Sequence, residues 1–166
     1  EITLNNGIDP RTGKKIGIES GDPVSFTAFE EFLNAFKKQL NHFIDIKMRG
    51  NNVIERIYAT NMPVPFLSVL IDDCVAKGID YNAGGARYNT NYIQGVGLGT
   101  MTDCLTAIKH NVFDHKKMTM TELLHALRSD FTGNGALRLR MVNKTPKYGN
   151  DIPEADDLML QVFEMF

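Results

Sequence analysis

The chain has 166 residues, of which 43% are hydrophobic, and 18 Lys plus Arg set against 20 Asp plus Glu leave a net charge near −2. That length suffices for one ordinary core, and the composition excludes a disordered, collagen-like or coiled-coil polymer. Charge this balanced, with no sustained basic run, lacks the concentrated positive footprint of a nucleic-acid-binding protein.

From the N-terminus, Asn5-Asn6-Gly7, Asp9-Pro10-Arg11-Thr12-Gly13, Gly17, Gly21 and Asp22-Pro23 are turn signals, so the first 25 residues are predicted to be mostly irregular and to rest on a neighbour. Thr27 with Glu30 forms a candidate capping box. Phe26, Phe29, Phe32, Leu33, Phe36, Leu40, Phe43 and Ile44 then recur at helical spacing, which predicts a helix over 28–48 whose aromatic stripe packs in the core. A shorter helix is predicted at Val53–Tyr58, followed by a break at Asn61-Met62-Pro63-Val64-Pro65, where two prolines remove donors and force an extended path. Phe66–Lys77 returns to helical periodicity, with Gly78 as its stop.

Residues 82–100 carry five glycines beside a dense polar set, the composition of a loop whose backbone turns tightly or approaches something closely. Within it, Arg87–Tyr92 alternates weakly and is predicted as a short strand. Leu98–Phe113 reads as a helix through Leu98, Met101, Leu105, Ile108 and Val112. Thr119 and Glu122 make a second capping box, opening a helix through Leu123, Leu124, Leu127 and Phe131 that Gly133 ends. Ala136–Val142 is predicted helical, Lys144–Asp151 is a polar loop, and Pro153 suits the first turn of a last helix. The pattern is mainly helix, without the βαβ rhythm of a self-contained parallel sheet, so any sheet is expected to lie mostly outside these residues.

Few side chains fall into a catalytic pattern. His42, His110, His115 and His125 are scattered without H-E-x-x-H spacing, so they read as helix-surface residues and no metal site is expected. Cys74 and Cys104 are too isolated for a disulfide framework or a zinc site and are expected to be packed and reduced. Asp72 and Asp73 are adjacent on a predicted helix and so point apart, and Asp103 is placed to stabilise a helix start. Ser68 has no G-x-S-x-G elbow, and Gly95-Val96-Gly97-Leu98-Gly99 departs from the phosphate-binding glycine orders. Arg87, Tyr88, Asn89, Tyr92 and Gln94 are the candidates to stand near a ligand, since Arg holds a carboxylate bidentately while Asn, Tyr and Gln orient it. The alternative is that this set satisfies the loop itself and an Asp or Glu elsewhere. No apolar run reaches membrane-spanning length and no signal peptide is visible, so cytoplasm is the default. The chain starts without methionine and ends with apolar positions still recurring, as a piece of something longer would.

An ordered series of motifs carries a resemblance across essentially the whole chain. Leu4-Asn5-Asn6-Gly7, Thr12-Gly13-Lys14, Gly21-Asp22-Pro23, Pro63-Val64-Pro65-Phe66-Leu67-Ser68, Gly84-Gly85-Ala86-Arg87-Tyr88-Asn89, Ile93-Gln94-Gly95-Val96-Gly97 and Asn143–Asn150 together resemble the glycyl radical enzymes, in the dehydratase and lyase branch related to pyruvate formate-lyase. The resemblance implies an α/β fold class, with 1–166 a mainly helical internal part of one large ten-stranded α/β barrel domain, its 82–100 backbone pressed against the barrel centre. It also implies a glycine radical, installed by an activating enzyme that uses S-adenosylmethionine and an iron–sulfur cluster, and a cysteine thiyl radical that takes hydrogen from substrate. Neither Cys74 nor Cys104 stands in the family's Gly-Cys-x-Glu context, and no glycine here stands in its Arg-Val-x-Gly context. Both radical sites are therefore expected outside the span, which by itself should be inactive and bind no cofactor directly. Within the branch, Asp80–Gln94 is most similar to members that dehydrate trans-4-hydroxy-L-proline; members acting on choline, glycerol, propanediol or isethionate are the alternatives. Expected partners are the activating enzyme, a small-molecule substrate, the remainder of the barrel and a second copy in a homodimer. The rival from another class is a non-catalytic helical interaction module.

Overall fold

A computed structural model describes residues 1–166 as seven α-helices joined by turns: α1 (Phe29–Asn61), α2 (Pro65–Leu70), α3 (Cys74–Lys77), α4 (Leu98–Ile108), α5 (Met120–Arg128), α6 (Gly135–Asn143) and α7 (Pro153–Phe163). There is no β-strand, and the sole strand-like pairing is an isolated antiparallel bridge between Ile8 and Lys15. The expectation of an α/β barrel fragment with a strand at Arg87–Tyr92 is thus corrected to an all-helical chain. A strand exists by exchanging N–H and C=O groups with a neighbouring strand. No such edge is present beside 87–92, and weak alternation alone does not make one.

The chain divides into two compact units, Glu1–Phe43 with Gly95–Phe166, and Ile44–Gln94. The buried core belongs to the first and comprises Phe29, Phe32, Leu105, Ile108, Met118, Met120, Leu123, Leu124, Leu158 and Val162. The aromatic stripe of α1 is core contact, as its spacing predicts: Phe32 lies 6.5 Å from Phe26 and 6.4 Å from Phe113 between ring centroids. α4 packs against α7, whose Ala155, Leu158 and Val162 form its buried stripe.

The irregular first segment does rest on a neighbour. Gln39 of α1, 3% exposed, accepts from the Ile18 amide at 3.2 Å and donates to Ser20 Oγ at 2.9 Å. Asn6, in the left-handed region at φ 48°, accepts from the amides of Ser20 and Gly21. A buried amide side chain bonded on both ends fixes irregular backbone that has no ladder of its own.

Helix starts and stops differ from the sequence expectation where local signals compete. Thr27 is capped by Glu31 rather than Glu30, because α1 opens at Phe29 and the Glu31 carboxylate reaches both the Thr27 and Ala28 amides. α1 also runs unbroken through Gly50, where two helices were expected. A single glycine costs about 1 kcal/mol in a helix, too little to break a long one. Conversely, the expected helix Phe66–Lys77 is split into α2 and α3 because Asp73 sits at φ 75°. The Thr119–Glu122 capping box forms in full, and α5 ends at Arg128, ahead of Phe131, with Asp130, Phe131 and Gly133 all left-handed. After α4 the chain continues as a π-helical turn over Lys109–Asp114.

In Ile44–Gln94 the buried residues are Cys74, Gly85 and Ala86, while Ile46, Met48, Val53, Ile54 and Ile57 of α1 are exposed. Cys74 is packed as expected; Cys104 is exposed, and both are free thiols. No helix is long and apolar enough to cross a membrane.

Candidate functional site

The polar loop that follows α3 is built on two anchors. The first is Asp80, whose carboxylate accepts from the Val64 amide (2.9 Å), the Ser68 hydroxyl (2.8 Å) and the Asn82 amide (2.9 Å). Partial burial works to raise its pKa, but those three hydrogen bonds outweigh it and hold the carboxyl below the usual range. Ser68 also accepts from the Tyr81 amide, so this serine is a structural tie. Asn82 adds a bond to the Met62 carbonyl at 2.7 Å, which closes the proline-rich segment onto the loop.

The second anchor is charged. Arg87 Nη2 and Nε donate to the two carboxylate oxygens of Asp73 at 2.8 and 3.2 Å, and Nη1 lies 3.7 Å from Asp72. Asp72 and Asp73 were expected to diverge on one helix. They meet the same guanidinium because the left-handed turn at Asp73 interrupts that helix. Lys77 Nζ donates to the carbonyls of Gly85 and Ala86 at 3.2 and 3.3 Å. Between these contacts Gly85 is buried, with the Ile79 carbonyl oxygen only 2.0 Å from where a Cβ would stand.

The five candidate residues therefore separate. Arg87 is taken up by Asp73, the alternative that the sequence left open. Tyr88 and Tyr92 are 83% and 75% exposed, and Asn89 and Gln94 are exposed too. Tight backbone packing was expected throughout 82–100; within this chain it occurs at Gly85, whereas Gly97 has open space and Gly95 meets only the side chain of Leu98. A polar hollow of about 440 Å³ lies beside the loop, lined by Asn52, Glu55, Arg56, Tyr81, Asn82 and Asn89 among others. Asp73, Lys77 and Asp80 were not singled out as partners from sequence, since no local spacing links residues up to 16 positions apart.

Elsewhere, Asp103 lies beyond the first turn of α4, so the expected helix-start role is corrected: it accepts from the Tyr148 amide at 2.9 Å and pins the polar loop before α7. His110 is mostly buried, with Nδ1 3.6 Å from Glu154 Oε1, unlike the helix-surface position expected. An apolar cavity of about 680 Å³ opens between Phe36, Leu40, Met101, Leu127, Phe131 and Met141.

The Asp73–Arg87 pair has a definite pH signature. The hydrogen bond from Arg87, against a smaller desolvation effect, holds the Asp73 carboxyl below its ordinary value. A depressed carboxylate contributes stability that is full above its unfolded pKa of about 3.9 and lost as pH falls through the lower folded value. The stability difference between the native chain and Asp73→Asn should accordingly be flat above about pH 5 and close below about pH 4. Denaturation midpoints across that range check it; a difference that grows on acidification would contradict the pairing.

Comparison with known proteins places this geometry in context. The pyruvate formate lyase-like family profile matches residues 1–166. The chain is 58% identical over 166 residues to trans-4-hydroxy-L-proline dehydratase of Clostridioides difficile, covering 100% of this chain and 21% of that protein. It is 33% identical over 168 residues to (2S)-3-sulfopropanediol dehydratase of Klebsiella oxytoca, covering 100% of this chain and 20% of that protein. The crystal structure of the C. difficile hydroxyproline dehydratase with trans-4-hydroxy-L-proline bound superposes with a TM-score of 0.94 over 99% of this chain and 21% of that one, at 58% identity. The glycerol-bound, B12-independent glycerol dehydratase of Clostridium butyricum gives 0.90 at 35% identity, over 99% of this chain and 20% of that one. The chain thus spans about a fifth of the length of these relatives. With its full length matched, the chain belongs to the pyruvate formate lyase-like family of glycyl radical enzymes.

Proposed function

We propose that the protein is a glycyl radical dehydratase that eliminates water from trans-4-hydroxy-L-proline, and that residues 1–166 are an internal part of its catalytic body, supplying scaffold and part of the substrate-cavity wall. The observation that carries this reading is the identity gap: 58% to a hydroxyproline dehydratase, against 33% to 35% to relatives named for sulfopropanediol and glycerol. In the proposed reaction a hydrogen atom is taken from the ring carbon beside the hydroxylated one, and the hydroxyl leaves as water with the proton given up by the ring nitrogen. The hydrogen atom then returns to the organic radical, so the net change is loss of one water to give a pyrroline carboxylate.

Neither Cys74 nor Cys104 is assigned the hydrogen-abstracting role, so residues 1–166 alone are expected to be inactive. Tyr88, Asn89, Tyr92 and Gln94 are assigned to the cavity wall, where their amides and hydroxyls can orient a small polar substrate. Arg87 is assigned to holding that wall in place. The same reading includes an S-adenosylmethionine and iron–sulfur activating enzyme, a homodimer and a cytoplasmic location.

The test is anaerobic activation of the full-length protein. Freeze-quenched EPR should show a glycyl doublet, and turnover should be found with trans-4-hydroxy-L-proline in preference to glycerol, choline and isethionate. Competently activated protein with no doublet would sink the radical chemistry; a doublet with turnover of glycerol instead would reassign the substrate.

A further inference from the structure

We propose that Asp73 and Lys77 are positioning residues for the dehydration, acting through Arg87 and the 85–86 backbone to clasp the loop that presents Tyr88 to Gln94. This rests on the reading of that loop as cavity wall. The evidence is a convergence of contacts on three consecutive residues. Gly85 is jammed against the Ile79 carbonyl, the Gly85 and Ala86 carbonyls are both held by Lys77 Nζ, and Arg87 is held by its side chain on Asp73 and by its own amide on the Asp72 carbonyl at 3.3 Å. From Tyr88 onward the side chains are exposed, with a long 3.4 Å hydrogen bond from Asn51 Nδ2 to Asn91 Oδ1, so residue 87 is the last firmly held point before the candidate wall.

Isolated exposed ion pairs contribute little, but a bidentate Arg–carboxylate fork joined to further charges is the recognised exception. Here Lys77 also lies 3.8 Å from Asp73 and Asp72 lies 3.7 Å from Arg87, which makes one network of four residues. Asp73 adopts a left-handed backbone that side chains other than glycine rarely take, with asparagine and aspartate the best tolerated. That turn is what swings Asp73 and Asp72 together onto Arg87. This engagement commits the Nε–Nη2 edge of the guanidinium to Asp73, with Nη1 3.7 Å from Asp72, so positioning is the role assigned to Arg87, and the split between kcat and KM separates it from direct contact with a substrate carboxylate.

The substitutions follow from this geometry. Asp73→Asn keeps the tolerated turn and removes the charge; Arg87→Lys keeps the charge and removes the fork. In the full-length, anaerobically activated protein each should lower kcat for trans-4-hydroxy-L-proline by about 10- to 100-fold, as small misplacement of a positioning element does, with the glycyl doublet yield unchanged. The double variant should be no worse than the worse single one, because both break the same clasp. Lys77→Met should fall between them and the native protein. Amide hydrogen exchange in peptides covering 84–94 should speed up in all of these, while Asp45→Asn, which breaks the exposed Asp45–Arg49 pair, should alter neither exchange nor turnover.

Unchanged exchange in Asp73→Asn, losses in kcat that add in the double variant, or an Arg87→Lys effect confined to KM would each overturn the clasp; the last would mean that Arg87 binds substrate. A native protein with no doublet and no turnover would instead overturn the dehydratase reading. The exchange comparison would still decide the clasp.

Discussion

Gly85→Ala should destabilise the protein by about 3 kcal/mol, at the upper end of what overpacking costs, whereas Gly50→Ala should stabilise it by about 0.5–1 kcal/mol. The two glycines look alike in sequence and differ in what surrounds them. A Cβ on Gly85 would stand 2.0 Å from the Ile79 carbonyl oxygen, 2.8 Å from its carbon and 3.0 Å from Cys74 Sγ. The first two are backbone atoms and cannot rotate away, and Cys74 is itself 2% exposed, with no room to yield. The loop must therefore lift, which removes the carbonyls from Lys77 and the guanidinium from Asp73. Gly50 lies within α1 with nothing inside 4 Å of the added carbon, so alanine there only restricts the unfolded chain and favours the helix. Chemical denaturation of both variants beside the native protein measures the pair. A Gly85→Ala midpoint within error of native would mean that this loop is not packed as described, and with it the clasp would fail.

That contrast also marks where sequence reading ends. Periodicity and capping chemistry are local, so the Thr119–Glu122 box, the Pro153 helix start and the aromatic face of α1 were all legible before any coordinate. Failures occurred where two local signals met or where a distant residue decided. Separate helices were expected over 28–48 and 53–58, but α1 runs through Gly50 because one glycine costs too little to interrupt a long helix. Apolar spacing over 66–77 suggested one helix, but the turn at Asp73 splits it and brings its carboxylate onto a guanidinium 14 positions away. The strand expected at 87–92 failed because alternation is a property of one segment and a strand is a property of two.

The candidate site shows the same limit from the other side. The motif series carried the family resemblance, while the polar side chains of the glycine-rich loop drew attention to Arg87, Tyr88, Asn89, Tyr92 and Gln94. Composition could not say which of them was already occupied. Only the structure shows that Arg87 is already paired with Asp73. Asp80 and Ser68, which hold the loop's other end, carry no sequence signal stronger than that of any Asp or Ser in a turn.

Phe32→Ala should cost about 3–5 kcal/mol, the range for emptying a large buried aromatic site, while Phe66→Ala should change the stability of residues 1–166 by less than about 0.5 kcal/mol. Phe32 is 2% exposed and its ring lies 6.3 to 6.5 Å from those of Phe29, Phe113 and Phe26, so truncation leaves a void bounded by rings on three sides. Those neighbours come from α1, the segment before it and the π-helical turn, and all three pack in or against the same core cluster, which limits how far they can collapse inward. Phe66 begins the exposed face of α2 at 83% exposure, and within this chain it has almost no contact to lose. Denaturation midpoints separate the two variants directly. The same pair in the full-length protein carries a second result: a large loss on Phe66→Ala there, absent for residues 1–166, would show that the α2 face is covered by polypeptide from the rest of the protein.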